Sequence, residues 1–301
     1  MASTPPPEDT IRMLRRATNL SLGVATGLAL AKAAAWLLTG SVAILASLVD
    51  SAMDASASLL TALAVRYSLV PADDEHRFGH GKSEALAGLA QALFITASTA
   101  FLVVHAVQRF LRPQPLEAVP IGIGVMTVSI LATLGLVLYQ RRVVRATESA
   151  AIRGDSLHYA SDLLTNFGTI AALALSRLGF PQLDPLIAIA IASATMYGAL
   201  RIGWDTFQVL MDRELPVELQ QQIRSIALGH TQVTGVHDLR TRQSGHCKLI
   251  QMHLEMDGQI SLDDAHRVAD DVERAIRDAI PGADVVIHQE PSGLDDERQF
   301  S

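Results

Sequence analysis

The chain has 301 residues, of which 49% are hydrophobic and only 18% are charged, and its mean hydropathy is +0.27. A soluble domain carries about 25% charged residues, so this composition indicates a membrane protein and excludes an intrinsically disordered chain. The single cysteine, Cys247, excludes a disulfide framework and a cysteine-rich zinc finger, and the net charge of −7 gives no basis for nucleic-acid binding.

Six apolar segments follow a proline-rich tail at residues 1–10, which we expect to be disordered. Each segment is close to the roughly 20 residues that a helix needs to cross about 30 Å of hydrocarbon. The second and fifth segments are interrupted by ionisable residues, but the apolar runs on either side are too short to be spans alone. We therefore predict six transmembrane helices within residues 11–210, over 17–38, 42–65, 86–110, 119–139, 157–178 and 186–204.

Basic residues indicate how these spans are oriented. With the N-terminus inside, nine arginines and lysines fall at cytoplasmic ends and loops, against three on the opposite side. This positive-inside bias, together with an even number of spans, predicts that both termini lie in the cytoplasm.

Residues 211–291 are acidic, contain six of the ten histidines and should form a separate cytoplasmic domain. Hydrophobic periodicity predicts a helix over 216–228, strands over 233–243 and 247–256, a helix over 262–280 and a strand over 283–289. This αββαβ order is typical of an open-faced α+β sandwich, and a polar tail follows at 292–301. Helices can cover only one face of such a sheet, so its other face must meet solvent or a partner subunit.

Two pairs of polar residues interrupt the second and fifth spans. Asp50 and Asp54 are four residues apart, as are His158 and Asp162, and residues at this spacing share one face of a helix. Two such pairs facing each other would supply a tetrahedral site for zinc or another divalent first-row metal. Because metal binding requires neutral imidazole and ionised carboxylates, protons compete for this site, and antiport becomes chemically possible.

The loop between the second and third spans contains Asp73, His76 and His80, whose D-x2-H-x3-H spacing suits metal ligation. Gly79 and Gly81 would let the backbone fold tightly around an ion. The alternative is a polar loop in which the histidines have no shared role.

Histidines of the cytoplasmic domain form a third candidate site. If Ser244–His246 is a three-residue hairpin loop, His237 and His253 are direct cross-strand partners and lie close enough to share a metal. A one-residue slip would instead place them on opposite faces of the sheet. The alternative is a set of polar residues on an uncovered face. We predict a cluster that holds one or two metals and consists of His237, His253, His266, His288 and Glu290.

Taken together, these features resemble the cation diffusion facilitators. The resemblance is to the bacterial branch that exports zinc and ferrous iron, and it is carried by SLVDSAMDASASLL, RYSLVPADDEHRFGHGKSEALA and GDSLHYASDLLTN. It extends over about residues 11–291. One departure is Glu290, where this branch would be expected to have aspartate.

The resemblance implies a homodimeric, proton-coupled exporter in a bacterial inner membrane, with Zn²⁺ as the main substrate and Cd²⁺ and Fe²⁺ as further substrates. It implies a metallochaperone-like open sandwich in the cytoplasm, with a binuclear site formed by the five residues of the third candidate site. It assigns the transport site to Asp50, Asp54, His158 and Asp162, and a loop site to Asp73, His76 and His80. It also implies a charge pair at the dimer, formed by Lys82 and Asp212.

Three other functions are compatible with parts of this pattern. An exporter of Fe²⁺ or Mn²⁺ would use the same carboxylates, which are harder ligands than imidazole. A membrane metal sensor would bind metal without moving it. A metallohydrolase needs an open coordination position and a general base, whereas four predicted ligands close the site and no HExxH motif occurs. We therefore expect a secondary transporter and not an enzyme.

Overall fold

The structure, a computed structural model, describes residues 8–40, 42–111, 120–177 and 183–293. Its first part consists of six helices of at least 27 residues, more than the roughly 20 needed to cross a bilayer. They are α1 (Glu8–Thr39), α2 (Val42–Ser68), α3 (Lys82–Leu111), α4 (Pro120–Thr147), α5 (Ala150–Arg177) and α6 (Leu183–Leu210).

The predicted tails agree only in part with these boundaries. Residues 8–10, which we predicted as part of a disordered tail, are helical. Residues 1–7 and 294–301 lie outside the described residues, as do residues 119 and 178 at the ends of two predicted spans.

Within the described residues, every long helix except α5 is apolar enough to cross a membrane. The helix α5 falls short because Arg153, Asp155, His158 and Asp162 interrupt its apolar face. It nevertheless packs along α3 and α4 and also touches α1 and α2, so two of its polar residues, Asp155 and His158, are buried among other helices. Such inward-facing ionisable groups are what a membrane helix with a function in ion transport would carry.

Two apolar clusters hold α5 in this bundle. One contains Leu14, Val65, Val143 and Ile152, which come from α1, α2, α4 and α5. The other contains Ala25, Leu136, Val137 and Tyr159, which come from α1, α4 and α5. All eight side chains are nearly inaccessible to solvent, so α5 packs tightly and keeps one face towards α2.

The last part of the chain forms the predicted αββαβ domain. Its elements are α7 (Val217–Leu228), β1 (Gly235–Ser244), β2 (Cys247–Met256), α8 (Leu262–Ala279) and β3 (Ala283–Pro291). The sheet order is β1-β2-β3, with β1 antiparallel and β3 parallel to the central strand β2. The hydroxyl of Ser261 accepts a hydrogen bond from the backbone N–H of Asp264 at 3.1 Å and so caps the N-terminus of α8.

One face of this sheet is covered and the other is not, as the strand pattern predicts. Ile250, Met252, Leu254 and Met256 of β2 are buried beneath the two helices, whereas residues of the opposite face, including His253, keep partial contact with solvent. The core contacts on the helices come from Ile223, Ala227, Val268, Val272 and Ile276.

A β-bulge in β1 determines which residues of the hairpin face each other. From Ser244 opposite Cys247 the pairing follows one register, which would place His237 opposite Leu254 if it continued. The register instead shifts between His237 and Arg240, so that His237 lies opposite His253. The predicted pairing is confirmed, but the predicted three-residue loop is wrong, because the turn has only two residues and the bulge makes up the difference.

The loop at residues 71–81 forms one compact unit with residues 208–293, although we assigned it to the membrane domain by its position in the chain. The guanidinium carbon of Arg242 lies 5.1 Å from the centre of the Phe78 ring. Gly81 packs so closely against the hairpin turn that a Cβ atom there would lie 2.3 Å from the backbone oxygen of Ser244. Only glycine fits this contact.

The bulge generates a prediction about Asp238, whose φ of +46° lies in the left-handed region. Asp238→Gly should preserve or strengthen the hairpin, whereas Asp238→Val should weaken it by about 1–2 kcal/mol, because a β-branched residue is strained there. Amide hydrogen exchange of residues 235–256 in the full chain measures this difference. Gln251→Val, at an exposed position of β2 with ordinary strand geometry, serves as the control and should cause little change. Equal exchange rates in the two Asp238 variants would contradict the prediction.

Candidate metal centres

The helices α2 and α5 bring together three of the four residues predicted for the transport site. Nε2 of His158 lies 2.9 Å from Oδ1 of Asp54 and 3.7 Å from Oδ2 of Asp162. One ligand atom from each residue lies within 4.8 Å of the other two, a spacing that one metal ion can bridge. His158 is buried and the two carboxylates are partly buried, so the group is enclosed by the helix bundle.

Asp50, the fourth predicted ligand, is outside this compact group. It lies one turn before Asp54 on α2 and is exposed. Three ligands leave one coordination position open, and a tetrahedral ion would need a fourth ligand there. That Asp50 provides this ligand remains a prediction.

Sequence reasoning missed Lys32, a basic residue of α1 that lies beside the start of the site. Its ammonium group donates hydrogen bonds to the hydroxyl of Ser51 at 2.6 Å and to the backbone oxygen of Ser47 at 3.3 Å. An ammonium group inside an apolar span is costly, and this was the signal in the sequence that could have identified it. Its position next to α2 adds a positive charge near the two carboxylates of that helix.

The loop site is assembled by the backbone of its own segment. The carboxylate of Asp73 lies 3.4 Å from Nδ1 of His76 and 3.4 Å from Nε2 of His80. The two imidazole rings are 4.5 Å apart, and the three ligand atoms meet the same 4.8 Å criterion as the transport site. A tight turn makes this possible, because Gly79 adopts a φ of +76° and donates its N–H to the backbone oxygen of His76 at 2.9 Å.

Backbone hydrogen bonds also keep Asp73 ionised. The N–H groups of His76 and Glu75 donate to Oδ1 of Asp73 at 2.6 and 3.0 Å, and they lower the pKa of its carboxyl below the usual 3.8. A carboxylate held in the ionised form is ready to bind a cation without first losing a proton.

The cytoplasmic cluster is centred on Glu290. Its carboxylate lies 3.1 Å from Nε2 of His237, 2.9 Å from Nδ1 of His253 and 3.3 Å from Nε2 of His288. His237, His253 and Glu290 satisfy the distance criterion for a shared ion, and they come from the three different strands of the sheet. His288 adds a contact at the exposed edge of this group, with its ring 4.7 Å from that of His253.

The chemistry of His237 supports a resident metal at this cluster. Both ring nitrogens are buried, and among the described residues neither forms a hydrogen bond of acceptable geometry. Carboxylate oxygens of Glu255 and Glu290 nevertheless lie 2.9 and 3.1 Å from them. These nitrogen and oxygen atoms are close to each other but are not aligned as hydrogen-bond donor and acceptor. Ligands that share one cation have this arrangement.

One predicted member lies outside this cluster, and sequence reasoning missed one residue beside it. His266 lies on α8, where its Nε2 atom is 3.6 Å from Oδ2 of Asp270, and it is not brought into the group. Sequence reasoning did not include Glu255, which lies two residues after His253 on the same strand and 2.9 Å from Nδ1 of His237. The available signal was Gly235, which lies opposite Glu255 and whose missing side chain leaves room for that carboxylate.

The predicted charge pair between Lys82 and Asp212 is not tested by these contacts. Asp212 has a φ of +57° and accepts a hydrogen bond at 3.1 Å from Arg242 of its own compact unit. Arg242 therefore connects Asp212 with Phe78 of the loop at residues 71–81.

Comparisons with known proteins agree with this architecture. Residues 19–211 match the cation efflux transmembrane domain, and residues 215–292 match the cytoplasmic domain of cation efflux proteins. The cation-efflux pump FieF of Klebsiella pneumoniae is 48% identical over 283 residues, which cover 94% of each chain. FieF of Salmonella choleraesuis is 49% identical over the same shares.

A solved structure is also similar to the cytoplasmic part. The metal-bound C-terminal domain of the CzcD transporter from Thermotoga maritima is 27% identical, covers 27% of this chain and 94% of that chain, and has a TM-score of 0.26.

The helical membrane domain, the α/β cytoplasmic domain and the predicted resemblance are thus confirmed. The two family matches cover almost all of the chain between residues 19 and 292. The chain belongs to the cation efflux family, the cation diffusion facilitators, and is therefore a multi-pass membrane transporter of metal cations rather than an enzyme.

Proposed function

We propose that this protein exports Zn²⁺ from the cytoplasm in exchange for protons, and that Cd²⁺ and Fe²⁺ are further substrates. The observation that carries the proposal is the enclosed group of Asp54, His158 and Asp162 between two membrane helices. One imidazole nitrogen with carboxylate oxygens is a suitable ligand set for zinc, and Asp50 would complete it.

Competition between metal and protons at this site would provide the coupling. His158 must be neutral to bind a cation, and the carboxylates must be ionised. When the site faces the cytoplasm, the metal would displace protons from these groups. When it faces the other side, protons would replace the metal, so that each transport cycle exchanges one for the other.

The other two groups would hold resident ions. The loop site and the cytoplasmic cluster lie in one compact unit and are built from residues outside the membrane helices. We propose that they bind zinc in a structural or regulatory role, and that the uncovered sheet face meets a second copy of the chain in a homodimer. We also propose that the protein lies in a bacterial inner membrane with both termini in the cytoplasm.

A second candidate substrate class has support from the same geometry. The compact group contains two carboxylates and one imidazole, and carboxylate oxygens also suit Fe²⁺ and Mn²⁺. Competition of Zn²⁺ flux by Cd²⁺, Fe²⁺ and Mn²⁺ in the same vesicles would rank these substrates.

The transport proposal predicts a loss of flux in two variants. Purified protein in liposomes that contain a zinc dye and a pH dye should move zinc against protons, and Asp54→Ala or Asp162→Ala should abolish both signals. Losing a ligand should reduce zinc flux by more than the roughly 10–100-fold that loss of an outer-shell partner causes. Asp205→Asn is the matched control, because this carboxylate of α6 lies 3.4 Å from Arg153 and outside the site.

Two outcomes would contradict this reading. Equal zinc flux with and without a pH gradient would remove proton coupling. Zinc binding without flux in the unaltered protein would indicate a metal sensor instead of an exporter.

At the cytoplasmic cluster, we predict that Glu290 contributes more to zinc binding than His288, its histidine neighbour at the exposed edge. In full-length protein carrying Asp54→Ala, Glu290→Gln should weaken zinc binding to this cluster by about tenfold or more, because the carboxylate touches three imidazoles. His288→Ala should have a smaller effect, since this side chain is 65% exposed and makes one carboxylate contact. Titration calorimetry measures both, with Glu273→Gln on α8 as the control. A larger effect of His288→Ala would contradict this assignment.

The loop site predicts a specific pH dependence. A lowered pKa means that Asp73 gives up its ionised form only as pH falls through that lowered value, below 3.8. Between about pH 5 and about pH 7.5, Asp73 itself should therefore neither take up nor release protons. Asp73→Asn should weaken metal binding throughout this range, because it removes a ligand that is ionised at each of these pH values.

Cobalt titrations at several pH values test this, in protein that also carries Asp54→Ala and Glu290→Gln. Asp74→Asn is the control, because the neighbouring carboxylate pairs with Arg77 and not with the histidines. Cobalt binding that Asp73→Asn leaves unchanged at pH 5 or at pH 7.5 would contradict this prediction.

A further inference from the structure

A second carboxylate on α5, Asp155, is buried and takes no part in the proposed chemistry. It is 1% exposed and accepts hydrogen bonds from three other helices. Ser21 of α1 and Gln140 of α4 donate to its Oδ2 atom at 2.6 and 2.7 Å. Ser58 of α2 donates to its Oδ1 atom at 3.4 Å. One carboxylate therefore connects α1, α2 and α4 to α5.

The hydroxyl of Ser58 strengthens the connection between α2 and α5. It lies 2.7 Å from the hydroxyl of Tyr159 and 3.1 Å from that of Ser21. All of these side chains are at most 3% exposed. Among the described residues no basic side chain lies within 4.0 Å of Asp155, so its partners are neutral donors.

This network lies one helical turn from the metal-binding group and joins the same two helices. Ser58 follows Asp54 by four residues on α2, and Asp155 precedes His158 by three residues on α5. At a rise of about 1.5 Å per residue, these intervals correspond to about 6 and 4.5 Å along the two axes.

We infer that Asp155 is a positioning residue of the transport site, which sets the register between α2 and α5 so that Asp54 meets His158. The inference rests on the proposed function of that group. Sliding one helix past the other by a single residue would move a ligand by about 1.5 Å. Metal–ligand distances tolerate only about 0.2 Å, so the ligands need a nearby constraint on this motion.

The effect of the hydrogen bonds of Asp155 can be separated from the effect of its negative charge. In Asp155→Asn the side-chain oxygen can still accept from Ser21 and Gln140, while the new amide group can donate to Ser58. The hydroxyl of Ser58 can then donate to Tyr159. If Asp155 acts by holding the helices, its negative charge is dispensable, but its contacts are not.

The test uses full-length protein in liposomes and compares KM for zinc with the maximal rate. Asp155→Ala should raise KM by about tenfold or more, the size of effect found for residues that orient metal ligands. Ser58→Ala removes the hydrogen bonds that this residue of α2 makes with α1 and α5, and it leaves the other two partners of Asp155 in place. It should reproduce this rise in KM even if Asp155→Ala folds poorly. Asp155→Asn should stay within about threefold of the unaltered KM, since exchanging matched polar partners can be nearly neutral.

The control is Thr206→Ala, because within the described part of the chain this buried hydroxyl bonds only to the backbone oxygen of Ile202 within α6. Unchanged KM in Ser58→Ala and Asp155→Ala, with only the maximal rate reduced, would overturn the inference. So would loss of proton counterflow or a flattened pH profile in Asp155→Asn, since Asp155 would then act through its charge. Zinc flux that survives Asp54→Ala and Asp162→Ala would instead reject the proposed transport site, which is a separate and distinguishable result.

Discussion

The contact between α2 and α5 is the constraint on which the rest of the membrane domain depends. In a bilayer each helix satisfies its own backbone hydrogen bonds, so packing and side-chain hydrogen bonds must decide how helices align. The ligand helices meet through His158 and Asp54, and through the hydroxyl of Ser58 one turn away. The small and apolar residues of α1 and α4 surround this contact and hold it in place. A protein that moves metal must keep such a contact accurate while allowing other helices to change position.

The cytoplasmic unit solves a similar problem with a sheet. Its candidate metal ligands come from three strands, and their side chains can converge only if all strands present the correct face. The parallel pairing of β2 with β3 places His253 beside His288 and Glu255 beside Glu290. The bulge in β1 then brings His237 to the same face. The bulge in this edge strand therefore determines whether the cluster can form.

Spacing within single elements was enough to predict much of this molecule. The i, i+4 pairs on two spans predicted four ligands, three of which the structure brings together, and strand alternation identified the buried face of β2. Long-range contacts were not predictable in the same way. Asp155 lies just before the predicted fifth span at 157–178 and was not singled out, because its three donors come from other helices. The docking of residues 71–81 on the hairpin also has no local signal except the glycine at position 81. His237 was paired correctly for an incorrect reason, since the shorter turn and the bulge compensate each other.

The strand order has a thermodynamic consequence for the cytoplasmic unit. β1 and β3 lie on opposite sides of β2 and share no backbone hydrogen bonds, yet His237 and Glu290 meet across the central strand at 3.1 Å. An ion bound by these residues would link both edge strands, so part of its binding free energy would become folding free energy. At a free concentration one hundred times its dissociation constant, such an ion stabilises the folded form by about 2.7 kcal/mol. The persistence of this unit in the cell would then follow the cytoplasmic metal concentration, independently of any transport.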